Sequence, residues 1–213
     1  MSKILEELGQ KVFDMDPEGA LELTKKALDQ GYKAEKILND SLIPAMDRIG
    51  EEYEKGKRYV PEMLLSAEAM KGAMDILRPI LTESGVEPIG KIVIGTVEGD
   101  LHDIGQNLVS MMLEGAGFQV KNLGAETTSE EFLEAIKEID ANVLGMSALL
   151  TTTMTHMPEV IESLDEAGLR EKVSVIIGGA PVSEDYAREI GADGYAPDAA
   201  SASKVVKNMI GIS

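Results

Sequence analysis

The spacing of apolar residues changes once along the chain, near residue 88, and the change divides it into two kinds of structure. Before that point apolar residues recur every three or four positions, the interval that lines one face of an α-helix. Ala20, Leu21, Thr24, Ala27 and Leu28 form one such stripe. Asp16-Pro17 opens it as an N-cap followed by proline at the first helical position, and Gly31 closes it. A second stripe runs through Ile37, Leu38, Leu42, Met46, Ile49 and Tyr53, with Pro44 inside it. Proline has no N–H to donate and its ring crowds the preceding turn, so this segment is expected to kink or divide. The third runs unbroken from Val60 through Met63, Leu64, Ala67, Met70, Met74 and Leu77 to Leu81. Residues 1–88 therefore predict a helical bundle of four or five helices with short connections.

Ser84-Gly85-Val86-Glu87-Pro88-Ile89-Gly90 interrupts the helical pattern and reads as a linker. Beyond it, short apolar runs at 91–97, 118–121, 142–147, 173–177 and 193–196 alternate with helical stretches. One of these helices is opened by a capping box of Thr128 and Glu131. Five strands alternating with helices imply an open parallel sheet over residues 89–213, covered on both faces. Ligands of such sheets bind at the carboxyl ends of the strands.

The net charge of −18 opposes binding to nucleic acid, whose phosphates it would repel. With no cysteine there is neither a disulfide framework nor a thiolate metal site. The first residues lack the apolar core of a signal peptide, and no apolar run approaches the length that spans a bilayer. A soluble, cytoplasmic protein with no membrane partner is the expectation. The acidic pairs Glu51-Glu52 and Glu130-Glu131 are expected on solvated helix faces.

Gly99-Asp100-Leu101-His102-Asp103-Ile104-Gly105 follows the first predicted strand directly, at the ligand-binding edge. His102 is one of two histidines in the chain. Asp100, two residues earlier, can accept a hydrogen bond from one ring nitrogen and so leave the other free as a metal ligand or base. Gly105 would let the backbone approach a bulky group. A structural histidine tied to an aspartate remains the plain alternative at this point. Zinc is disfavoured, since it needs three or four protein ligands, and no Gly-x-Ser-x-Gly elbow supports a serine hydrolase. The second histidine, His156, falls after Thr151-Thr152-Thr153 and is expected on an exposed helix.

Two further elements converge on the same edge: Ser147-Ala148-Leu149 ends the third strand and Gly178-Gly179 ends the fourth. Asp-x-His-x-x-Gly, then 41 residues, Ser-x-Leu, then 28 residues, Gly-Gly resembles the signature of cobalamin-binding domains. The helical half is similar as well, its run from Tyr59 to Met70 resembling the cap helix of corrinoid methyl-carrier proteins. The resemblance spans the whole chain. It implies a helical cap over residues 1–88 and a Rossmann-like (flavodoxin-like) five-stranded cofactor domain over 89–213.

It further implies a cobalamin or related corrinoid bound with its own base displaced, and His102 on cobalt. Asp100 would partner the histidine, and Thr153 would stand where related proteins carry a relay serine. Gly99, Asp103, Ile104, Gly105, Ser147, Leu149, Thr151, Gly178 and Gly179 would line the cofactor site. Cobalt(III) carrying a methyl group prefers an axial ligand and cobalt(I) none, so His102 would loosen as the methyl leaves, helped by a proton taken up by the His–Asp pair. One or two of Tyr59, Val60, Met63 and Leu64 would meet the upper face of the cofactor. The implied function is methyl carriage between two enzymes, with no catalysis by the chain alone. The implied partners are a barrel-fold substrate:corrinoid methyltransferase, a second methyltransferase using tetrahydrofolate or coenzyme M, and a reductive activating protein. Three alternatives compete: the cobalamin-binding subunit of an adenosylcobalamin mutase, a cobalamin-dependent regulator, and a cofactor-free interaction domain. The helical half counts against the first, and the acidic charge and short length count against the second.

Overall fold

In the first half local chemistry sets several helix boundaries, as a computed structural model describing residues 2–212 shows. Helix α1 spans Lys3–Phe13 and α2 Pro17–Asp29. Asp16 caps α2 by accepting the Gly19 N–H at 2.8 Å, with Pro17 in the first turn. Beyond its end, Gly31 takes a positive φ of 83°, which glycine adopts without steric cost. The Pro44 segment divides as expected: α3, Ala34–Ile37, passes into a π-helical turn, Leu38–Leu42, and then α4, Ile43–Glu54. The Ile43 N–H reaches back to the Leu38 carbonyl, five residues away. This wider turn accommodates the proline, which has no hydrogen to offer the preceding turn. Helix α5 runs through Val60–Glu83, its start fixed by the Glu62 carboxylate accepting the Tyr59 N–H at 2.9 Å.

These helices bury Leu5, Leu8, Ile37, Leu42, Met46, Ile49, Met63, Met70 and Leu77. Helix α2 packs on α5, and α1 packs on α2 and α4. Arg58 is also buried: it donates to the Phe13 carbonyl at 2.7 Å and to Glu52 at 3.0 Å, and its guanidinium lies 4.0 Å from the centre of the Phe13 ring. Glu52 is therefore the partner of a buried cation, where sequence placed it on a solvated face.

The chain forms two compact units, one holding residues up to Pro88 with Glu114–Gly117, the other Ile89–Leu113 and Phe118 onward. In the second unit β1 (Lys91–Thr96), α6 (Ile104–Gly115), β2 (Gln119–Asn122), α7 (Ser129–Ile139) and β3 (Val143–Ser147) come first. They are followed by α8 (His156–Glu166), β4 (Ser174–Gly178), α9 (Glu184–Ile190), β5 (Gly194–Ala196) and α10 (Ala199–Met209). The sheet has the order β2-β1-β3-β4-β5 and every pairing is parallel. The order reverses between β1 and β3, the place where right-handed crossovers send successive helices to opposite faces and leave a crevice. Val93, Leu144, Met146, Val175 and Ile177 face one layer, where Phe132, Ile136, Met157, Val160 and Leu164 cover them. Thr128 and Glu131 form the expected capping box on α7, so Glu131 caps its helix as well as facing water. Among the described residues no helix is long and apolar enough to cross a membrane.

Candidate functional site

Register aligns the carboxyl ends of four strands in one row, Thr96–Ser147–Gly178–Ala196. This row and the loops leaving it carry the three sheet-edge motifs singled out in the sequence. The first, between β1 and α6, holds Asp100 and His102; the second, between β3 and α8, holds Leu149, Thr151 and Thr153. The third begins with Gly178-Gly179. A Cβ on Gly179 would lie 1.9 Å from the Ala148 carbonyl oxygen, and the residue's φ is +120°. No side chain fits there, so glycine lets the second and third loops touch.

Asp100 is the centre of the site. Its side chain is fully buried, and five hydrogen bonds converge on it. Oδ1 accepts from the His102 backbone N–H at 3.1 Å and meets His102 Nδ1 at 2.8 Å. Oδ2 accepts from the Thr153 hydroxyl at 2.6 Å, the Leu149 N–H at 2.7 Å and the Leu150 N–H at 3.3 Å. Burial pushes the acid toward its neutral form, but the donations from Thr153, Leu149 and His102 outweigh it and hold the carboxyl well below the usual range. Asp100 is thus an ionised acceptor. It orients the imidazole with a hydrogen on Nδ1, which in the neutral ring leaves a lone pair on Nε2.

The His102 side chain is 52% exposed, and its ring meets Asp100 through Nδ1. Around it lie large apolar side chains turned to solvent: Leu101 at 70%, Ile104 at 73%, Leu149 and Leu150 each at 43%. Among the described residues of the sheet unit these are the exposed large hydrophobic ones, and they lie on the two loops that share Asp100 and at the first residue of α6. A Cβ on Gly105 would meet nothing within 4 Å, so the start of α6 is open beside them. Exposed apolar side chains beside a half-exposed imidazole make this edge the candidate site of the sheet unit.

The structure brings Asp100, His102, Leu149 and Thr153 into direct contact, and places Gly99 near enough that a Cβ there would meet the Thr153 methyl at 3.8 Å. Ser147 and Gly178 are register partners, and Ile104 and Gly105 open α6. Asp103 acts through its backbone, accepting the Asn107 N–H at 2.7 Å, and Thr151 is exposed on the second loop. His156 begins α8 and pairs with Glu159 at 2.8 Å, apart from the Asp100 network. Sequence reasoning missed Leu150, whose amide joins Asp100, and Thr96, whose hydroxyl donates to the His102 carbonyl at 3.2 Å. It also missed Glu126, which sits at a φ of 54° and donates its N–H to the Asp100 carbonyl at 3.1 Å. Backbone donation leaves no trace in residue type; the apolar pair Leu149-Leu150 at a strand end was the signal available.

Family models described as B12 binding domains match residues 90–204 and residues 4–78. A corrinoid protein of Desulfitobacterium hafniense is 39% identical over 211 residues, covering 98% of both chains. A dimethylamine corrinoid protein of Methanosarcina acetivorans is 40% identical, covering 99% of this chain and 100% of its own. Among solved structures, a cobalamin-binding protein from Desulfitobacterium hafniense matches with a TM-score of 0.78 and 32% identity, over 96% of this chain and 97% of that one. The methanol:cobalamin methyltransferase complex of Methanosarcina barkeri matches with a TM-score of 0.87 and 28% identity, over 100% of this chain and 81% of that one.

Proposed function

We propose that this chain, which belongs to the family of B12-binding corrinoid proteins, carries methyl groups on a cobalamin-type cofactor that His102 ligates through Nε2. The observation that carries the reading is the His102 ring, anchored at Nδ1 by a buried carboxylate and open at its other nitrogen. Anchoring of that kind is how proteins fix a metal-binding histidine. Among the described residues no group of three His, Cys, Asp or Glu side chains could hold a bare ion. A single protein ligand would suit a metal that arrives already held within its cofactor, as cobalt in a corrin would. The exposed Leu101, Ile104, Leu149 and Leu150 suit the apolar face of such a macrocycle, and Gly105 leaves room for it.

When bound, the corrinoid supplies a cobalt centre that accepts a methyl group and gives it up. The chain's residues do the rest by position. Asp100 keeps His102 in one tautomer and one orientation. Because Asp100 stays ionised, a proton shared by this pair resides on the imidazole at Nδ1 and not on the carboxylate. Thr153 donates its hydroxyl hydrogen to Asp100 and takes the relay place usually read as serine. Gly99, Asp103, Ser147, Thr151, Gly178 and Gly179 complete the wall of the cofactor site, with glycines where a side chain would close the loops' approach.

A methyltransferase is the partner class, since this chain is similar to a component of a methanol:cobalamin methyltransferase complex. In finer terms, a barrel-fold enzyme loads the methyl group, a second methyltransferase passes it to tetrahydrofolate or coenzyme M, and a reductive activator restores stray oxidised protein. The donor, an amine or another simple methylated compound, is chosen by the loading enzyme, and the setting is the cytoplasm. The alternatives of mutase subunit and regulator are less well supported, because relatives matching the chain end to end are corrinoid proteins. The test is a methyl-transfer assay. Protein loaded with reduced cobalamin should not demethylate dimethylamine or methanol alone and should become methylated when a cognate methyltransferase is added. Turnover by the isolated chain would overturn the carrier reading.

A further inference from the structure

The Asp100 carboxylate receives three of its five hydrogen bonds from one short segment, Leu149 to Thr153. That segment lies outside any strand or helix, and Leu149, Leu150, Thr151 and Thr152 are exposed. Within it the Thr153 and Met154 N–H groups reach the Leu150 carbonyl at 3.2 and 3.1 Å, the Thr153 hydroxyl oxygen lies 3.1 Å from the same carbonyl, and the Thr153 carbonyl accepts the His156 N–H at 3.0 Å. Those bonds set the shape of the turn, while where it sits depends on what holds it from outside.

Tyr186 does so. Its hydroxyl donates to the Met154 carbonyl at 2.8 Å from α9, thirty-two residues along the chain. Helix α9 is itself fixed to the third loop, because Ser183 caps it by accepting the Tyr186 N–H at 3.2 Å. The Tyr186 ring packs against the apolar core of the sheet unit, so ring and hydroxyl have separable roles. The Met154 carbonyl also accepts the Met157 N–H at 3.1 Å, so it keeps a partner if the hydroxyl is removed. Loss of the hydroxyl should therefore act on where the turn sits more than on whether the protein folds. Burial, reinforced by Glu189, raises the Tyr186 pKa, so the group remains a donor at ordinary pH.

We infer that Tyr186 is a positioning residue for the His102–Asp100–Thr153 relay: from α9 it fixes the turn whose amides and hydroxyl hold the Asp100 carboxylate against the imidazole. The role in the apoprotein stands on geometry alone; its consequence for a bound corrinoid rests on the reading of His102 as the ligand.

The test uses the full chain as wild type, as Tyr186→Phe and as Tyr32→Phe, a control that removes a hydroxyl bonded to Ser2 at 2.6 Å in the helical unit. Two readouts come from apoprotein at one fixed pH: amide hydrogen exchange of Leu149, Leu150 and Thr153, and ring-nitrogen NMR of His102 with labelled histidine. Tyr186→Phe should speed exchange at those amides by about tenfold through local opening. It should also move the His102 ring from one tautomer toward a mixture. Tyr32→Phe should change neither. If Tyr186→Phe lowers the melting temperature but leaves both readouts at wild-type values, Tyr186 is structural and the inference is overturned. A third readout, histidine-nitrogen coupling in the cobalt(II) protein, separates the two claims. Should apoprotein readouts move while wild-type cobalt takes no histidine, the ligand reading fails and the positioning role stands.

Discussion

Buried charge and exposed apolar side chains are scattered exceptions in the helical unit, Arg58 inside and Tyr59, Leu65 and Ile80 outside, and are concentrated at the carboxyl edge of the sheet. In the helices Leu5, Leu8, Ile37, Leu42 and Met46 are inside, and most carboxylates face water. At the sheet edge the pattern inverts: an ionised aspartate is fully buried while Leu101, Ile104, Leu149 and Leu150 face solvent. Burying apolar surface stabilises a helix bundle without specifying a function. Burying a charge is tolerated only with a full set of donors, and exposing a ring of large apolar groups leaves a surface that favours contact with something apolar. The inversion marks this edge as the candidate site more sharply than any single residue does.

The largest effect should come from the closest approach. Gly179→Ala would drive a methyl group into the Ala148 carbonyl and should cost at least about 4 kcal/mol, measured by urea denaturation. A wild-type midpoint would mean that the loops are not packed by that contact. Next, Leu8→Ala removes a fully buried side chain from the helical unit and should cost about 3 kcal/mol. The comparison is sharpened if the His102 ring-nitrogen signals stay unchanged in this variant, and broken if they shift as they do in site variants.

Asp100→Asn tests the polar side. The amide cannot accept all five donors, and the loss should be about 2 kcal/mol near neutral pH. Its pH dependence has a definite sign. The folded-state pKa lies below the unfolded value near 3.8, so the stabilisation is fully present above that value and declines as pH falls through the folded one. The gap in urea midpoint between wild type and Asp100→Asn should persist from neutral pH to below about 4, then narrow. A gap that closed between about pH 7 and 5 would show that Asp100 is not held ionised in this way. The smallest effect is Thr128→Ala, which removes a capping hydroxyl bonded to Glu131 and not to Asp100, and should cost about 1 kcal/mol with no change at His102.

How much of this was legible in the sequence follows from the same contrast. The helical stripes and five alternating apolar runs reported their elements directly, because side-chain period and backbone period coincide. Even the division at Pro44 was legible, though its form, a π-helical turn, was not. The strand ends shifted by a residue: β1 stops at Thr96, and Val97 makes an isolated bridge to Thr127. In the site, His102 and Asp100 could be read from their spacing, and Thr153 from the resemblance to cobalamin-binding domains. The amide of Leu150, the Thr96 hydroxyl on the His102 carbonyl and the Tyr186 tether could not, since each depends on which loops meet in space. Glu52 was misread for the same reason, because its buried partner Arg58 is fixed by the packing of Phe13.

The central claim is that His102 ligates the metal of a bound corrinoid. Electron paramagnetic resonance of the cobalt(II) protein, prepared with ring-15N-labelled histidine, tests it most directly. Coupling to the labelled nitrogen should be present in wild type and in His156→Gln, and lost in His102→Ala. Coupling only to the cofactor's own unlabelled benzimidazole nitrogen, in wild type and His102→Ala alike, would contradict the account.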